Sequence, residues 1–242
     1  MELKFRTIKT RDGKPVLTLK IKNISVIDDK FLTKIIKPKL DELDKKGCLF
    51  FTEDEIKDEF LINSRINPRE YRFRINYSIT KKQLKAEKTE LPLGIKQMKF
   101  KTKKQYFNLL KKKLIEYHYT WKNFVDKKSN LEWIRNAHKL AKTRDYLCLK
   151  KGRKIITLID LWEYLDFIRC PMDWIGHIWI SPDLEKEERI TIHKYIRWWL
   201  RNNMKHKVIR AAVDSFNIRS QKFFRKMGFK PEWLAFLKSK SF

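Results

Sequence analysis

Cysteine is scarce in this chain: Cys48, Cys148 and Cys170 are three in number, and no two form a CxxC pair. An odd, widely spaced set speaks against a disulfide framework and against a zinc ribbon, and fits a reducing compartment. Long apolar runs are missing too. The most apolar stretch, IITLIDLWEYLDFI at 155–168, carries three carboxylates and is too short and too charged to cross a hydrocarbon layer of about 30 Å. The opening MELKFRTIKTRDGK is charged throughout and has no apolar segment of the secretory kind. A soluble, cytoplasmic protein is expected. His118, His138, His177, His193 and His206 show no metal-ligand spacing with the cysteines, so no metal is expected. There is no G-x-S-x-G or Ser-His-Asp signature, KKGRK is too short for a phosphate-binding P-loop, and neither a repeat nor a low-complexity tract occurs.

Acidic residues are in deficit. Lys and Arg number 57 against 29 Asp and Glu, a formal charge of +28 over 242 residues. The excess peaks between 91 and 150, with 16 basic residues against 4 acidic. Such a field attracts polyanions and speeds encounter with them. Lysines set among Tyr106, Phe107, Tyr117, Tyr119 and Trp121 suit phosphate contact and base stacking together, so the expected partner is a nucleic acid or another polyanion, which composition alone does not name. A solvated face in a lysine-rich chain is the plainer alternative.

The hydrophobic fraction of 42% is ample for a core. LKFRTIKT and KPVLTLKI flank an Asp-Gly turn and predict a hairpin over 3–22. A helix is expected at 30–45, kinked by Pro38, and another in TEDEIKDEFL, with Thr52 as cap and Glu55 completing a capping box. REYRFRINYSI alternates as a strand. These elements form a small α+β unit over 1–90, and TKKQLKAEKTELPLG reads as a linker. From 91 to 242 the pattern gives a strand at 95–102, helices at 103–116 and 130–141, a strand at 145–152, and a long strand at 154–167. A strand in DWIGHIWISP, a helix at 190–204, a strand in KVIRAAVDS, a helix in NIRSQKFFRKMGF and a strand in EWLAFLKSK complete it. The expected class is α/β (α+β), a mixed sheet flanked by helices. In RWWLRNNMKHK, Trp199 falls on the buried stripe and leaves Trp198 as a candidate stacking platform.

The last strand–helix pair carries a family likeness. In AAVDSFNIRSQKFFRKMGF, Val213, Asn217, Ser220, Phe224, Gly228 and Phe229 occupy a spacing that resembles the GNAT (GCN5-related N-acetyltransferase) superfamily, and IGHIWISPDL is similar to that family's fourth strand. With the order of elements from residue 95 onward, the resemblance implies a GNAT-like sheet and acyl transfer from acetyl-CoA to an amine. It also implies that backbone groups of Ile178, Trp179 and Ile180 pair with the pantetheine arm, and that Asn217, Ser220 and Phe224 line the cofactor site. The family's pyrophosphate loop is glycine-rich, since a helix N-terminus favours an anion that can approach the backbone closely. Here LEKEERITIHKY has no glycine, and Lys186, Arg189 and Thr191 take the loop positions. A solvated acidic helix start is the alternative reading of that segment. Phe224 stands where many members place a proton-donating tyrosine.

For a base, Asp173 and His177 are expected on one strand face, with Glu163 on the neighbouring strand. A histidine titrating near neutrality suits that work. A structural hydrogen-bonding histidine, and an aspartate belonging to the turn after CPM, are the competing readings. Three functions follow: an acyltransferase acting on a nucleic acid or an associated acceptor, a GNAT-fold enzyme with a donor other than CoA (Mom-like or aminoacyl-transferase-like), or an inactive nucleic-acid-binding protein.

Overall fold

Alternating apolar residues become strands and three- to four-residue spacings become helices along most of this chain. The computed structural model describes residues 4–9, 15–21, 27–45, 47–52, 71–121, 143–165 and 171–238. Contacts divide the chain into two compact units, Met1–Ser78 with Ala212–Phe242, and Ile79–Ala211.

In the first unit, β1 (Phe5–Lys9) and β2 (Pro15–Ile21) form the expected antiparallel pair, with Phe5 opposite Leu19. Strand β3 (Gly47–Thr52) runs parallel to β2, and β10 (Lys230–Lys238) lies antiparallel to both β3 and β4 (Tyr71–Thr80). The result is a mixed sheet. Inward residues of β2, β3 and β10, namely Val16, Leu49, Ala235 and Leu237, share one buried cluster. The helix after β2 begins at α1 (Asp29–Phe31), where the Asp28 carboxylate accepts the Phe31 N–H at 2.6 Å. Pro38 has no N–H for the Lys34 carbonyl, so the chain widens into a π-turn over Leu32–Ile36 before resuming as α2 (Lys37–Glu42). Thr52 ends a strand; the rest of the expected TEDEIKDEFL helix, like that at 130–141, lies outside the described residues.

In the second unit, β5 (Ile95–Gln97), β6 (Thr143–Lys151), β7 (Lys154–Leu165) and β8 (Pro171–Ile180) are successively antiparallel. Strand β9 (Val208–Asp214) pairs with β8 in parallel, so the strand pairing here is mixed as well. The β6–β7 turn passes through Gly152 at φ +57°, a conformation open to glycine without a Cβ penalty. Helix α3 (Lys103–Trp121) packs Tyr106, Phe107 and Leu110 onto Cys148, Leu158 and Trp179 of the sheet. Helix α4 (Lys186–Asn203) starts four residues before the expected position, and its whole predicted stripe, Ile192, Tyr195, Ile196, Trp199 and Leu200, is buried. Trp198 lies half-buried, its ring 5.3 Å from that of Tyr195. Helix α5 (Ile218–Lys226) belongs to the first unit and closes on Gly228 at φ +87°. The class is therefore the expected α+β one. Among the described residues no helix is long and apolar enough to cross a membrane.

Candidate functional site

A charged residue in the middle of an apolar strand needs partners, and Asp160 on β7 has three. It is fully buried. Its carboxylate accepts the Trp162 indole N–H and the Tyr106 hydroxyl at 3.3 Å. His177 Nδ1 stands 3.0 and 3.2 Å from its two oxygens. A buried carboxylate is tolerable only when hydrogen-bonded in this way. With Nδ1–H given to Asp160, the His177 ring is fixed in orientation and its Nε2 is the nitrogen left with a lone pair. Burial and the neighbouring Asp160 push the Tyr106 hydroxyl well above its ordinary pKa, so it remains a donor.

A β-bulge makes this cluster. Asp160 faces His177 and Leu161 faces Ile175, so Gly176 is the extra residue on β8. A Cβ at Gly176 would fall 2.1 Å from the Trp162 ring, so only glycine lets the indole lie there. The slip also reverses the strand's faces. Asp173 and His177, expected on one face, lie on opposite faces of the sheet. Asp173 sits across from Glu163, and its carboxylate accepts the backbone N–H groups of Lys205 and His206 at 3.0 and 2.9 Å, holding the turn after α4. Glu163 is exposed and lies 3.5 Å from His206 Nε2. His177 therefore keeps company with Asp160, Trp162 and Tyr106, and the expected trio is divided. Asp160 was missed by sequence reasoning, although a carboxylate that follows the apolar run ITLI and shares the strand face of Leu158 and Trp162 is the signal that marks it.

The parallel register of β8 with β9 covers two pairs, Asp173 with Ile209 and Trp174 with Arg210, while β8 continues to Ile180. Ile178, Trp179 and Ile180 all lie on this continuing part. Trp179 turns its side chain into the α3 cluster, with the Lys113 ammonium 5.1 Å from the ring centre.

The start of α4 is filled by its own side chains. Glu185 is the N-cap and forms a reciprocal capping box with Glu188. Glu188 is also paired with Lys151 at 2.6 Å, and Lys154 with Asp183; these lysines hold both carboxyls below their ordinary pKa values. The Arg189 guanidinium donates to the Pro182 and Leu184 carbonyls at 3.0 and 2.8 Å. Thr191 bonds back to the Glu187 carbonyl, and Lys186 is exposed. A helix start carrying three glutamates does not fit a pyrophosphate, because the carboxylates repel an added anion and two of them already take the Glu185 and Glu188 backbone N–H groups.

Asn217, Ser220 and Phe224 belong to the first unit. Asn217 caps α5 by accepting the Ser220 N–H at 3.0 Å, and Phe224 is buried, stacked on Tyr77 at 5.7 Å. Cys48 and Cys148 are buried and their thiols pushed up to about 12, which leaves them inert as nucleophiles. Among the described residues, no group of three or more His, Cys, Asp or Glu side chains could hold a metal ion.

No family model matches the chain, and no curated protein matches it. Among solved structures it is similar to a functionally unknown conserved protein from Staphylococcus epidermidis (13% identity, 94% of this chain and 84% of that one, TM-score 0.47). It is similar also to a GCN5-related N-acetyltransferase from Sphaerobacter thermophilus (11%, 97% and 76%, 0.45), and to a tandem GNAT protein from the clavulanic acid biosynthesis pathway (9%, 94% and 76%, 0.41). Several similar structures are thus GNAT proteins.

Proposed function

We propose that the chain is a GNAT-type N-acyltransferase that moves an acyl group from a thioester donor, acetyl-CoA, to an amine. The observation that supports this reading most is the early parting of two parallel strands. β8 leaves its register with β9 after Trp174 and runs on through Ile178, Trp179 and Ile180, whose backbone groups suit the amide-bearing arm of the donor. In this reading His177, held by Asp160, accepts the proton released as the amine attacks. Asp173 and Glu163 are given no part in proton transfer. Asn217, Ser220 and Phe224 are carried as cofactor-site residues by resemblance alone, as is the division of the chain into 1–90 and an acyltransferase segment 91–242. The acceptor is a nucleic acid or a molecule associated with one, in keeping with the charge.

The self-capped start of α4 favours a second reading, a GNAT-fold enzyme whose donor is not CoA. Lys186, Arg189 and Thr191 then have a structural role only. Calorimetric titration with acetyl-CoA and, separately, with S-acetylpantetheine tests both. Micromolar binding of the two within about tenfold of each other supports a thioester donor held by its arm. A preference for acetyl-CoA of a thousandfold (about 4 kcal/mol) would mean that a phosphate site exists. Absence of heat with either at millimolar concentration ends the acyl-CoA reading and leaves the non-CoA donor or the nucleic-acid-binding protein.

A further inference from the structure

Two local arrangements in the second unit are electrostatically unfavourable, and both concern lysines near α3. Lys96 on β5 stands directly opposite Lys150 on β6, and like charges in that position destabilise a strand pair. Lys101 and Lys104 flank the start of α3, whose first turn holds no acidic residue, although the helix dipole disfavours cations there. From 95 to 113 the sequence has eight lysines and no carboxylate.

The register puts these groups together. Lys150 lies two residues beyond Cys148, and Cys148 points into the cluster under α3; Lys150 and its neighbour Lys96 therefore share the α3 side of the sheet. The connector to α3 is pinned by Phe100, which packs edge-on against Tyr106 and Tyr146 at 5.7 and 5.4 Å and whose carbonyl accepts the Tyr146 hydroxyl at 3.1 Å. Exposed Lys99 and Lys101 flank that anchor. On α3, Tyr106, Phe107 and Leu110 face inward, so Lys104 and Lys112 project outward. Eight residues of helix separate them by about 12 Å, a length over which one strand of a duplex presents roughly three to four phosphates.

We infer that this lysine face of the second unit, Lys96, Lys99, Lys101, Lys104, Lys112 and Lys150, is a docking surface for the phosphate backbone of double-stranded DNA. The duplex is chosen over a single strand because, among the described side chains of this face, no stacking candidate is exposed; Tyr117, Tyr119 and Trp121 lie outside the described side chains. Tyr106 and Phe107, placed by the sequence among the lysines as stacking candidates, are 0% and 6% exposed and belong to the core. DNA is chosen over RNA because double-stranded RNA is recognised largely through its 2′-hydroxyls across the minor groove, whereas the six groups of this face are ammonium groups, which pair with phosphate. The inference does not depend on acyl transfer.

The test is fluorescence anisotropy of the full chain, freed of nucleic acid, with a labelled 20-base-pair DNA duplex between 50 and 200 mM NaCl. Four to six contacts predict a log–log salt slope of about −4 to −5. The triple variant Lys96→Gln, Lys101→Gln, Lys104→Gln should flatten that slope by about 2 to 3 and weaken binding at least tenfold at 100 mM. Lys4→Gln, Lys34→Gln, Lys222→Gln makes the same charge change at exposed lysines of the first unit; it should leave the slope alone and change affinity less than threefold. All six positions are exposed, and an unchanged circular dichroism melt verifies that each variant folds. Equal losses in the two variants would assign binding to diffuse charge and overturn the proposal. It is also overturned by tenfold tighter binding of a single strand or of an RNA duplex, or by no binding at 50 mM.

Discussion

Gly176 shows how one residue governs the candidate site. Without a side chain there, Trp162 can lie against β8 and turn its N–H toward Asp160, and the bulge brings His177 onto the same carboxylate. Gly176→Ala should cost about 1–3 kcal/mol, the usual range for overpacking, with a changed tryptophan emission as Trp162 is displaced; urea denaturation followed by fluorescence measures both. Tyr106→Phe removes one of the three donors and nothing else of size. It should cost about 1–3 kcal/mol because Asp160 stays buried with a weaker shell; a cost near zero would mean that Trp162 and His177 satisfy the carboxylate alone. The sequence displays Asp160 as a carboxylate set between the apolar residues Leu158, Ile159 and Leu161. It does not display the bulge, because a one-residue slip leaves no trace in alternation until a partner strand is known, and that is why Asp173 and His177 were read as facing together.

At the scale of elements, periodicity carried most of the fold. The stripe of α4, the β1–β2 pair and the alternation of β4 all come from local burial preference, which the chain states directly. Element ends were less legible. Helix α4 begins at Lys186 because Glu185 and Glu188 cap each other, so the glutamates that oppose an anion there are also the reason the helix starts there. Replacing the cap, Glu185→Ala, should cost about 0.5–2 kcal/mol in thermal or urea unfolding. The pH dependence has a definite sign. Glu188 and Asp183 are held below their ordinary values of 4.5 and 3.8 by Lys151 and Lys154, so the folded state keeps them ionised where the unfolded chain would bind protons. Their stabilisation is complete above those ordinary values and fades as pH falls through the lower folded ones. Unfolding midpoints measured from pH 6 to pH 3 should therefore fall, and Glu188→Gln should fall less steeply. Both groups are exposed enough that 0.5 M salt should shrink the difference.

For the molecule as a whole, the +28 charge sets a term that no single pair can cancel. The described exposed ion pairs include Lys39 with Glu42 and Lys151 with Glu188, and such pairs contribute about 0–1 kcal/mol each. Added salt weakens those attractions, which lowers stability. It also screens repulsion among the excess lysines and arginines, which is stronger in the folded chain than in the expanded unfolded one, and this raises stability. The excess is the larger quantity, since basic residues outnumber acidic ones nearly two to one, so repulsion should win. Raising NaCl from 20 to 300 mM takes the Debye length from roughly 20 Å to about 6 Å. Stability should then increase by about 1 kcal/mol, seen as a melting temperature about 2–4 °C higher for a chain of this length. A duplex DNA added at 20 mM NaCl should raise it as well, because binding to the folded state alone adds stability by mass action, and that gain should vanish at 300 mM. The two effects of salt thus run in opposite directions, upward for the free protein and downward for the bound one. A scan in which salt lowered the melting temperature of the free protein would show that its attractive pairs outweigh the excess charge.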